Sequence, residues 1–126
     1  MPNAQWFDAT TDAGAAQFTD QPSNLAAPTS DTDGVVVAGR PFATIRAWNS
    51  SDPLVGTFDV EVWRQFRRGE RWFYDDNVGL VPVDAVSPTD AITIEIETRG
   101  AIRLFVRAYN FAGGALATCR VSAGTR

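Results

Sequence analysis

The stretch from Phe58 to Asp76, FDVEVWRQFRRGERWFYDD, constrains the fold of this chain more than any other. Its two limbs are rich in β-branched and aromatic side chains, which fit a pleated, half-buried surface. They meet at Arg68-Gly69, where a glycine permits the chain to reverse, so the stretch predicts a β-hairpin. Phe58, Val60 and Val62 fall on one side and Asp59 and Glu61 on the other, the period of a strand with one wet face. Trp63 then falls on the polar side and Arg64 on the apolar side. Each face of the hairpin therefore carries large apolar surface somewhere along its length.

Similar segments flank it. Gly34 to Ala38 is a short apolar run, and Phe42 to Asn49 alternates before a turn at 50–53. Val78 to Val83 contains Pro82, which suits an edge strand. Another turn follows at 86–89. Ala91 to Glu97 alternates most cleanly, with Ile92, Ile94 and Ile96 expected inward. Ala101 to Phe111 repeats the pattern with Ile102, Leu104, Val106 and Ala108 inward, and Arg103, Phe105, Arg107, Tyr109 and Phe111 on the opposite face. Ala115 to Val121 presents a face of small residues that includes Cys119. About eight short strands and no helical period predict an all-β fold, a single β-sandwich of immunoglobulin-like or jelly-roll type, over residues 34–126. One connection has two solutions. A three-residue hairpin loop at 99–101 would pair Ile96 with Leu104, whereas a crossover would carry the chain to the facing sheet.

Residues 1–33 form a separate region, read as an extended N-terminal arm. They are rich in Ala, Thr, Asp, Ser, Asn and Pro and follow neither the period of a strand nor that of a helix, so they bury too little apolar surface to order themselves. Trp6, Phe7 and Phe18 punctuate this polar stretch as anchors for docking on another surface. Residues 1–39 carry a net charge of −5 and residues 40–126 a net +1, together the −4 of the chain, and every cation is an arginine. A near-neutral body lacks the basic footprint of a nucleic-acid binder. The start of the chain has neither a basic segment nor an apolar run, so no signal peptide is expected. No stretch approaches the roughly 20 apolar residues of a membrane span.

Catalytic classes are narrowed by what the composition omits. With no histidine there is no histidine base, and one cysteine allows neither an internal disulfide nor clustered thiolate ligands. Asp31-Thr32-Asp33-Gly34 has the middle of a calcium loop, but Thr29 and Arg40 stand where the first ligand and the closing glutamate belong, so it reads as a turn. Asp75-Asp76-Asn77 reads as a solvated strand end. Glu95 and Glu97 are expected to pair across strands with Arg103 and Arg107. No catalytic residue, metal ligand or cofactor is assigned. The constellation that stands out is an aromatic and arginine face of Trp63, Arg103, Phe105, Arg107, Tyr109 and Phe111, types enriched at interfaces. Such a face also suits a stacking groove, or burial under the N-terminal segment of the same chain.

Two resemblances follow from these residues. LFVRAYNFAGG, residues 104–114, resembles the F strand and following turn of fibronectin type III and immunoglobulin-like sandwiches, with Arg107, Ala108, Asn110 and Gly113 matching. The corner tyrosine of that family falls on Ile102 and its upstream proline on Thr98. The polar arm, the β body and VEVWRQFRRGERW together resemble small virion structural proteins of tailed bacteriophages, of the capsid decoration (cementing) type. That resemblance implies a non-enzymatic protein made in the host cytoplasm and located in the virion. Its partners would be its own copies, in a homo-oligomer such as a trimer, and the major capsid protein or another virion subunit; no nucleic acid, membrane or cofactor is implied. The alternative is a tail or head-fibre component, or a carbohydrate-binding adhesion module using the aromatic face.

Overall fold

Among the described residues the alternating segments become ten strands. They are β1 (Trp6–Asp8), β2 (Phe18–Gln21), β3 (Val35–Val36), β4 (Phe42–Asn49), β5 (Thr57–Gln65), β6 (Phe73–Tyr74), β7 (Val81–Asp84), β8 (Ile92–Glu97), β9 (Arg103–Ala112) and β10 (Ala117–Gly124). The computed structural model describes residues 6–8, 17–84 and 91–124; the turn expected at 86–89 lies outside the described residues. Among the described residues there is no helix. Sheet A runs β1-β10-β4-β8, with β2 sharing the β10 edge with β1. Sheet B runs β3-β9-β5-β6, with β7 sharing the β5 edge with β6. Every pairing is antiparallel.

The two sheets close on a shared core, as the period-two patterns require. Sheet A contributes mostly small side chains, Ala43, Ala47, Ala117 and Cys119, with Ile45 and Val121, and sheet B mostly larger ones, Phe58, Val60, Val62, Leu104 and Val106, with Ala108. Burying surface of this kind gains roughly 25 cal/mol per Å² of apolar area removed from water, and this supplies most of the fold's stability. Cys119 is free and wholly buried, and burial pushes its thiol pKa far up, so it is chemically quiet.

The central hairpin is centred as predicted. Trp63 opposes Tyr74 and Arg64 opposes Phe73, a register whose midpoint is Arg68-Gly69. Beyond these two rungs the hairpin keeps one further backbone bond, Asp75 N–H to the Val62 carbonyl (2.9 Å), while the side chains of Gln65 and Trp72 reach to residues 30–31. The chain then returns to the same edge of β5 as β7, where Pro82 faces Asp59 and the missing N–H interrupts no further strand.

The connection after β8 takes the crossover. β8 pairs with β4 in sheet A, whereas β9 pairs with β5 in sheet B. The crossing is pinned by Thr98 N–H to the Pro41 carbonyl (2.8 Å) and Ile102 N–H to the Gln65 carbonyl (2.8 Å). Two expectations change as a result. Ile92, Ile94 and Ile96 are half-buried and pack against the core's margin, because β8 is an edge strand. Glu95 and Glu97 do not pair with Arg103 and Arg107, since the strands that carry them lie in different sheets; Glu97 instead approaches Arg99 at 3.9 Å.

Candidate functional site

The outer face of sheet B collects the aromatic and arginine side chains. The register aligns Trp63 with Phe105, Glu61 with Arg107, and Asp59 with Tyr109. Arg107 donates from Nη1 to Glu61 Oε1 at 3.0 Å, and the same oxygen accepts Trp63 Nε1 at 3.0 Å. The Arg107 guanidinium lies 4.1 Å from the centroid of the Tyr109 ring, a cation–π contact. Trp63 in turn meets Tyr74 with ring centroids 5.5 Å apart. Partial burial, with the carboxylates of Glu61, Asp76 and Asp75 nearby, raises the Tyr74 pKa, because each of these disfavours a phenolate.

A strap of residues 24–34 covers much of this face. Leu25 donates its N–H to the Ala108 carbonyl (3.1 Å) and receives Arg107 Nε on its own carbonyl (2.9 Å). Arg103 donates to the carbonyls of Thr32, Asp33 and Gly34. Trp72 Nε1 donates to the Ser30 carbonyl (3.1 Å), and the Trp72 ring meets Phe105 edge-on at 6.2 Å. Asp31 Oδ1 accepts both Gln65 Nε2 and Gly69 N–H at 2.8 Å. Those two bonds, the backbone one first, and the nearby guanidinium of Arg68 hold the Asp31 carboxyl below its ordinary value of 3.8. The turn read at 31–34 is therefore a clasp: Asp33 Oδ2 accepts Thr29 and Ser30 N–H at 2.8 Å, which folds the strap on itself.

The interface candidates separate accordingly. Trp63 and Tyr109 are half-buried and lie together beside Arg107, whereas Phe105 is buried and both Arg103 and Arg107 donate to the strap. Phe111 lies elsewhere. The register between β5 and β9 slips by one residue between Tyr109 and Ala112, and Asn110 there has φ +56°. This bulge reverses the alternation, so Phe111 turns to the core side and stacks on Phe58 at 5.3 Å. Phe18 is in the core. Trp6 and Phe7 are placed by backbone register alone, opposite Gly124 and Ala123 on the edge of sheet A.

Pattern reading placed Asp31 in a turn and Glu61 on a wet face and passed over Gln65, and it assigned none of the three to organising the cover of this face. Gln65 is 1% exposed yet carries an amide, and a polar residue at the end of a long apolar strand was the one local sign of a partner overhead. A second concavity lies at the open side of the sandwich. This groove of about 700 Å³ is bordered by Phe66, Phe73 and Val78 from the sheet B side and by Ile96 and Glu97 of β8. Its floor is tied by Arg64, which donates to Asp75 Oδ2 and to the carbonyls of Glu97 and Thr98.

Among the described residues no group of three or more His, Cys, Asp or Glu side chains is placed to hold a metal ion. Among them, too, no helix is long and apolar enough to cross a membrane, which leaves strands aside. No family model, no curated protein and no solved structure matches the chain.

Proposed function

We propose that this is a non-enzymatic structural protein of a tailed-phage virion, of the capsid decoration type, which binds a head lattice and its own copies. The observation that carries the reading is β1, a short N-terminal strand laid on the edge of sheet A, nine residues ahead of the next strand. A rigid body with a tethered strand suits attachment to a repeating surface, where several weak contacts act at once. The internal use of Arg103, Arg107 and Glu61 also supports it, since these charges stabilise the body and leave attachment to the arm. The sandwich itself fits an immunoglobulin-like or jelly-roll plan, supported by the crossings between sheets at β2–β3, β3–β4, β4–β5, β7–β8, β8–β9 and β9–β10.

Phe18 packs in the core and residues 24–34 cover sheet B, so the informative truncation removes only residues 1–16. The truncated chain should keep its β circular-dichroism spectrum and lose self-association, binding to capsids assembled without the protein, or both. Unchanged mass by light scattering together with unchanged co-sedimentation would rule the arm out as the attachment element. A carbohydrate-binding role on a tail or head fibre is favoured by one feature, the half-exposed cluster of Trp63, Tyr74 and Tyr109. Saturable binding of the whole chain to one glycan, abolished in Trp63→Ala, would put that reading first.

A further inference from the structure

β1 and β2 lie on the same edge of β10, yet their registers do not continue one another. Asp8 stands opposite Ser122 and Phe18 opposite Cys119. Three steps along β10 therefore correspond to ten along the N-terminal segment. A strand running straight on would use three, which leaves seven residues in excess of the shortest path within one molecule. Ten extended steps reach roughly 33–36 Å, enough to leave one sandwich and arrive at another. β1 also makes only three pairs, Trp6 with Gly124, Phe7 with Ala123 and Asp8 with Ser122. So short a ladder is weak alone.

We infer that this edge is a strand-exchange site, at which Trp6–Asp8 of one copy adds to Ser122–Gly124 of a second copy. Exchange of an identical element preserves each of the three pairs, so nothing in the ladder itself favours closure within one molecule. Reciprocal exchange adds something closure lacks. Once one arm has crossed, the other is held near its target, and the second ladder forms at high effective concentration. A filled edge also removes an unpaired template that would otherwise invite promiscuous strand pairing. The inference deepens the assembly reading, and rests on it only in requiring that copies meet.

The test uses two full-length chains with different tags, one carrying Asp8→Cys and the other Ser122→Cys, co-expressed and treated with a short thiol-to-thiol cross-linker. Opposed residues bring their Cβ atoms to about 4.5–5.5 Å, within its reach. Cys119 is fully buried and does not compete. A covalent pair bearing both tags is expected as the main product. If a single chain carrying both substitutions links only to itself and the mixed chains stay separate, the strand closes at home and the inference is overturned. It is overturned equally if neither preparation links, because the ladder is then absent in solution. Phe7→Cys with Ala123→Cys repeats the experiment one rung away should the first pair misfold. Particle binding is measured independently. Lost exchange with retained binding sinks only this inference, and exchange without binding sinks only the virion reading.

Discussion

Arg64 occupies a place that the alternation of β5 reserves for an apolar side chain, and three acceptors keep it there. Its Nε and Nη2 both meet Asp75 Oδ2, at 3.0 and 2.9 Å, and Nη1 reaches the carbonyls of Glu97 and Thr98 at 2.8 Å. One side chain thus ties sheet B to the end of β8 in sheet A. With 12% and 8% of the two side chains exposed, removing the cation strands a largely buried carboxylate. Arg64→Ala should cost about 2–4 kcal/mol, slightly below the range for a wholly buried pair, read from the urea midpoint. Two glycines separate backbone strain from crowding. Gly56 has φ +78°, and a Cβ there would overlap the Ala112 carbonyl oxygen and lie 2.6 Å from the Ala115 nitrogen. Gly100 has φ +85° with nothing within 4 Å of the same added atom. Gly100→Ala should therefore cost about 1 kcal/mol, the conformational part alone, and Gly56→Ala more than about 3 kcal/mol. Equal losses in parallel denaturation curves would mean that φ, and not contact with the 112–115 turn, sets the requirement at Gly56.

Among the elements, the strap is the one whose hold on the body can be titrated. Asp31 receives Gly69 N–H and Gln65 Nε2, and these bonds lower its pKa in the folded protein. A group with a depressed folded pKa adds stability that is fully present above its unfolded value, about 4, and is lost as pH falls through the folded value. Asp31→Asn keeps an acceptor oxygen but gives up the charge. The variant should melt below the parent at neutral pH, and the gap should close as the solution is acidified below about pH 4. A gap that persists to pH 2 in thermal melts would show that the carboxylate charge does not hold the strap. β8 illustrates a different element-scale effect. Its Ile-x-Ile-x-Ile pattern was legible as one-sided, and the side is right, but alternation carries no information on whether a strand is central or marginal. Having a neighbour on one edge only, β8 leaves its isoleucines half-covered.

At the scale of the molecule, the sequence by itself determined that the chain is all-β, which side chains of β5 and β10, and of β9 as far as Tyr109, face inward, and where the central hairpin turns. Those properties are local: a side-chain period of two and a glycine at a reversal act within a few residues. Tertiary structure alone decided which sheet each strand joins. A hairpin and a crossover after Glu97 satisfy the same inward pattern, and long-range bonds from Thr98 and Ile102 selected the crossover. It also decided the fate of the aromatic and arginine face. The carbonyls of Thr32, Asp33 and Gly34 that receive Arg103 lie about seventy residues away in the chain, and backbone acceptors have no signature in composition. Phe111 shows the limit of period reading most directly. One extra residue at Asn110 reversed the alternation, and a bulge forms only when a partner strand is present to be out of step with.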